Sequence, residues 1–156
     1  MINDFGILIS HGGQNHSWKD LMIFLKSKYP DIELFELSLQ NNNGNTVIEK
    51  LSETVCEECN YAIVIMTKED ELKNGKFLAR QNVVHELGYC QGVLGRHNVL
   101  LILEKGVEKF SNIGGIVYEE FQLNIREVFS KVENHIDEAI ELWEDGEDEY
   151  GDCDDD

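Results

Sequence analysis

The chain has 156 residues, 42% of them apolar, and a formal charge of −18 at pH 7. That length suits one domain with a single sizeable core. No run nears 18 apolar residues, no basic segment precedes the first apolar stretch, and no basic stripe is interleaved with aromatics, so neither a membrane span, a secretory leader nor a nucleic-acid groove is expected.

The charge is unevenly placed. Residues 133–156 hold 13 acidic residues and no Lys or Arg, leaving −5 for residues 1–132. The expected organisation is one domain over residues 1–143 and a disordered acidic tail over 144–156, which has few apolar groups to bury. Cys56, Cys59, Cys90 and Cys153 form no disulfide framework, and Cys56-x-x-Cys59 lacks the second pair or nearby His that a zinc site needs. No metal is expected. Reduced thiols in a cytoplasmic protein are the simpler account.

In chain order, Phe5–Ser10 is a short, continuous apolar run of the kind found in strands covered on both faces. His11–His16 is a loop. Ser17 with Asp20 reads as a capping box opening a helix to about Lys28, stopped by Pro30. Ile32–Leu37 is a second strand and Gln40–Asn45 a turn-rich loop. Thr46 with Glu49 opens a helix to about Glu58. Tyr61–Thr67 is the most hydrophobic strand and is placed at the centre. A polar loop, Lys68–Leu78, leads to a helix over Asn82–Leu94. Val99–Leu103 is the fourth strand, Ile116–Tyr118 a short edge strand, and Leu123 to about Trp143 a final helix.

Alternating strands and helices predict an α/β fold, a parallel five-stranded sheet with helices on both faces. Ligands of such sheets lie past the C-terminal strand ends. Three features meet there: the His11–His16 loop, the Gln40–Asn45 loop and the start of the Asn82–Leu94 helix.

On that helix, at about 100° per residue, Val83, Val84, Leu87, Cys90 and Leu94 fall on one side. His85 points the other way. Asn82 and Glu86 share a flank at the margin of the apolar face. A carboxylate there is partly desolvated, although surface glutamates on amphipathic helices are common. His11-Gly12-Gly13 lets a ligand approach the backbone before a helix N-terminus, without matching a phosphate-binding fingerprint. Arg80 suits either a phosphate or a surface ion pair. His11 and His16 are too isolated to argue a metal site or a base. Cys90, on the buried face, reads as a structural thiol.

Together these segments resemble the bacterial TIR-like (Toll/interleukin-1 receptor-like) predicted nucleotide-binding family of antiphage effectors. The most specific part is Ala79-Arg-Gln-Asn-Val-Val-His-Glu-Leu-Gly-Tyr89 with Gly92-Val-Leu-Gly-Arg96. Supporting blocks are His11-Gly12, Gln40-x-Asn42-x-Gly44-x-Thr46-Val-Ile-Glu-Lys50 and Ser111-Asn-Ile-Gly-Gly115. The resemblance implies a flavodoxin-like or TIR-like sheet and hydrolysis of NAD to nicotinamide and ADP-ribose, with NAD as substrate and no cofactor. By resemblance Glu86 is the catalytic residue, and His11, Gly12, Gly13, Asn42, Gly44, Arg80 and Asn82 bind substrate. It also implies activation by self-association into a homo-oligomer; with no recognisable sensor domain in the sequence, the expectation is a separate sensor protein as partner, or a chain that is one piece of a larger system. This chain departs from the family pattern at Gly13-Gln14, Asn43, Asn45, His85 and Cys90-Gln91. Two other functions fit the same residues. One is a non-catalytic TIR-type interaction or nucleotide-sensing module. The other is an enzyme that forms cyclic ADP-ribose or transfers a deoxyribosyl group.

Overall fold

Five strands pair into one parallel sheet in a computed structural model that describes residues 4–12, 15–37, 47–109 and 116–146. The strands are β1 (Gly6–Ser10), β2 (Glu33–Glu36), β3 (Tyr61–Met66), β6 (Val99–Glu104) and β7 (Tyr118–Phe121), in the order β2-β1-β3-β6-β7. All residues of β1 and β3 are buried, because both faces are covered. β3 is central, as its composition predicts.

The two-residue period of a strand splits the core in two. Ile7, Ile9, Ile63, Ile65 and Ile102 face α1 (Ser17–Lys28) and α4 (Phe129–Glu144), meeting Leu21, Leu25, Val132 and Ile136. Leu8, Ala62, Val64, Met66 and Leu101 face α2 (Val47–Glu53) and α3 (Gln81–Leu94), meeting Leu51, Val83, Leu87 and Cys90. The five-stranded α/β architecture is therefore the expected one. No helix among the described residues is long and apolar enough to cross a membrane.

Several local expectations are corrected. Ser17 is the first residue of α1 rather than its cap: Asn15 Oδ1 accepts from the Ser17 amide at 2.8 Å, and Asp20 pairs with Arg126 at 3.7 Å. The loop at Lys68–Leu78 contains a small antiparallel hairpin, β4 (Asp70–Glu71) and β5 (Phe77–Leu78). The edge strand starts at Tyr118, later than its apolar residues suggest, since Leu101 and Leu103 set its register opposite Tyr118 and Glu120. Asn124 and Glu127 form a reciprocal capping box before α4, which runs one residue beyond Trp143. Thr46 and residues 147–156 of the acidic tail lie outside the described residues.

Candidate active site at the end of β1

The chain leaves β1 for α1 on one face of the sheet, while α3 approaches from the other. With the order β2-β1-β3-β6-β7, successive connections change direction at the β1–β3 boundary. A crevice forms past the strand ends at such a switch point.

Strand alternation then distributes the side chains at the end of β1. Ser10, two residues after Leu8, faces α3. Its hydroxyl donates to Oε2 of Glu86, 76 residues further along the chain. His11, two residues after Ile9, faces α1. Its ring stacks on Trp18 with centroids 4.4 Å apart and planes 10° apart. His11 Nε2 lies 2.7 Å from Oε1 of Glu36, the last residue of β2. Consecutive residues thus bind two buried carboxylates, one in each layer.

The wheel explains why Glu86 is buried. Val83, Leu87, Cys90 and Leu94 centre the apolar stripe of α3, and Glu86 lies about 70° from that centre. It is 7% exposed. Val84 lies about 90° off on the opposite flank and is 40% exposed, so its expected place on the buried face is corrected. His85 is exposed, as predicted.

Burial pushes the Glu86 carboxyl above the usual carboxylate range. The Ser10 hydrogen bond and the positive potential of His85 oppose this, while Glu36 adds to it. Burial lowers the His11 imidazole, against the hydrogen bond and charge of Glu36. Its Nδ1 has no hydrogen-bond partner among the described residues. Cys90, one turn beyond Glu86, is a free buried thiol pushed up to about 12, first by burial and then by the Glu86 charge. That fits the structural role expected of it. Cys59 is also free and buried, whereas Cys56 is disulfide-bonded, so the expectation of reduced thiols fails at that position.

Gly12 sits where the first loop crosses the start of α3. A Cβ there would lie 2.5 Å from Val83 Cγ2 and 3.0 Å from Arg80 Cβ. The glycine thus brings the loop against the helix that carries Glu86.

Of the residues the sequence pointed to, His11, Gly12 and Glu86 converge. Asn82 lies exposed on the flank of α3 beyond Glu86. Arg80 makes a surface ion pair with Asp70 at 3.6 Å, both side chains about half exposed. Gly13, Asn42 and Gly44 lie outside the described residues. Ser10, Glu36 and Trp18 were not singled out. Their one signal is polarity at the end of an apolar run, visible for Ser10 and Glu36.

The arrangement offers a buried carboxylate, hydrogen-bonded on one oxygen, at the sheet's switch point, where ligands of such sheets bind. It suits stabilising positive charge on a bound ligand. A family model, CAP12/Pycsar effector protein, TIR domain, matches residues 6–123. The uncharacterized protein YuaY of Escherichia coli (strain K12) is 34% identical over 119 residues, 73% of this chain and 39% of its own length. Protein tirC of Dictyostelium discoideum is 37% identical over 106 residues, 62% of this chain and 51% of its own. The chain therefore spans about half or less of the length of these two relatives.

Proposed function

This chain belongs to the TIR-domain family of CAP12/Pycsar effector proteins, and we propose that it is an NAD glycohydrolase, releasing nicotinamide and ADP-ribose in antiphage defence. Glu86 carries this reading: a buried carboxylate at the switch point, on the helix that most resembles the family's catalytic helix.

The chemistry asks for one carboxylate and no general acid. Nicotinamide departs as a neutral molecule from a pyridinium cation, so nothing need protonate it. As the N-glycosidic bond lengthens, positive charge moves from the pyridinium ring onto the ribose, as in glycoside hydrolysis, and water bonds to the ribose carbon that nicotinamide leaves and gives up a proton to form ADP-ribose. A carboxylate near that ribose gains more from the transition state than from the ground state, the condition for raising kcat. The cationic substrate also favours the ionised form of Glu86, opposing the effect of burial. NAD is substrate, and no cofactor is called for. Self-association and a separate sensor protein, implied by the resemblance, belong to this same proposal.

The test is nicotinamide release by concentrated protein incubated with NAD, wild type against Glu86→Gln. Loss of one transition-state stabiliser predicts a fall of about 10²–10³-fold in kcat. No release by concentrated wild-type protein, or undiminished release by Glu86→Gln, refutes the assignment.

A further inference from the structure

Glu86 has two carboxylate oxygens in unlike surroundings. Oε2 accepts the Ser10 hydroxyl, and no other hydrogen bond to the Glu86 carboxylate occurs among the described residues. Ser10 is 2% exposed and lies on a strand paired on both sides, with Val64 as its partner on β3. Its hydroxyl is therefore carried by a buried interior strand.

We propose that Ser10 is a positioning residue for Glu86: its hydroxyl holds Oε2 and leaves Oε1 as the oxygen that meets the ribose, an inference that rests on the glycohydrolase reading above. A glutamate side chain on a helix has three rotatable bonds, and stacking against Val83 or Leu87 does not define its last torsion. A hydrogen bond from a fixed donor does. Orienting a reacting group before substrate arrives is worth much of an enzyme's advantage, and small misplacements are costly. A carboxylate is an acceptor only, so the hydroxyl must donate, and its lone pairs do not compete for the substrate.

The contact also acts on the charge. A hydrogen bond to an ionised carboxylate favours the ionised form, and here it works against burial and against Glu36. A role confined to tying α3 to β1 would shift the Glu86 titration as well. The titration therefore tests the contact, and a fall in kcat at unchanged KM in folded Ser10→Ala tests the positioning.

Full-length protein labelled with ¹³C-glutamate gives carboxyl resonances that can be titrated, with Glu86 identified by its loss in Glu86→Gln. Ser10→Ala is expected to raise the Glu86 midpoint by about one pH unit, the size of a charge-assisted hydrogen bond. Ser10→Thr, which keeps the hydroxyl, is expected to stay near wild type. In the nicotinamide assay Ser10→Ala is expected to lower the plateau kcat about tenfold or more, with KM within twofold of wild type and the acid limb moved up by the same interval, and an undiminished plateau kcat in folded Ser10→Ala overturns the positioning role.

An unmoved midpoint in folded Ser10→Ala overturns the inference, whether or not the protein cleaves NAD. A moved midpoint together with an inactive wild type upholds the hold on Glu86 and removes the glycohydrolase reading instead. If alanine unfolds the protein, Ser10→Cys supplies a weak thiol donor in nearly the same volume. A smaller upward shift is then expected, and no shift overturns the inference.

Discussion

Replacing Gly12 by alanine drives a methyl group into the first turn of α3. The new carbon would sit 2.5 Å from Val83 Cγ2 and 3.0 Å from Arg80 Cβ, where carbon atoms rest at about 3.5–4.0 Å. The overlap with Val83 is therefore about 1 Å or more. Val83 is 1% exposed and packed on the sheet, so it has little room to retreat. Gly12 is not among the glycines with positive φ, so the cost is steric rather than conformational. Overpacking of this kind costs about 1–3 kcal/mol. For a domain of this length that lowers Tm by about 3–10 °C.

A double-mutant cycle isolates the contact. Val83→Ala alone loses two buried methyl groups, about 2 kcal/mol, but opens the space the new methyl needs. The pair Gly12→Ala/Val83→Ala should then be at least about 1 kcal/mol more stable than additivity predicts. Thermal and urea unfolding followed by circular dichroism measure all four proteins. A Gly12→Ala protein as stable as wild type, or a cycle additive to within about 0.5 kcal/mol, refutes the close-packing argument.

Two further outcomes concern charge. Because burial raises the folded-state carboxyl of Glu86 above its ordinary value of 4.5, any stability it contributes is full below that value and is lost as pH rises through the folded-state midpoint. At pH 7.5, Glu86→Gln should accordingly be more stable than wild type, by on the order of 1 kcal/mol, with the gain gone below about pH 4. Paired urea titrations at both pH values check this, and a variant less stable at pH 7.5 contradicts it. Asp70→Asn removes the exposed partner of Arg80 while leaving the packed stem of Arg80 in place. Its unfolding midpoint should change by less than about 0.5 kcal/mol, and a loss above 1 kcal/mol would mean that the pair is more than a surface contact.

The main strands were legible because a parallel strand covered on both faces is written as an unbroken apolar run, as in Tyr61–Met66. The flank position of Glu86 was legible from helical spacing, and the family pattern singled it out among similar flank glutamates. Its partner was not. Ser10 meets Glu86 only after β1, β3 and α3 have assembled, and Glu36 meets His11 only through the Ile9–Glu36 register of β1 and β2. Local pattern carries no record of such distant pairings. Val84 was misjudged because an apolar residue on the edge of a stripe looks the same as one in its centre. The hairpin of β4 and β5 was missed since two-residue strands are too short to show a period.

The last residue of β1 and the one that follows it have a consequence for how the site tolerates change. Ser10 and His11 reach opposite layers only because they are out of phase by one step of the pleat. β1 is thus a ruler as well as a support: its length from Gly6 fixes which layer receives the hydroxyl and which the imidazole. Deleting one residue from Ile7-Leu8-Ile9 would exchange apolar side chains between the two cores, which such similar residues tolerate in part. The same step would turn Ser10 toward Trp18 and His11 toward Glu86, exchanging both polar contacts at once. Chemistry at this crevice is therefore more sensitive to the phase of the strand than the fold itself, and length changes in β1 should extinguish function before they abolish structure.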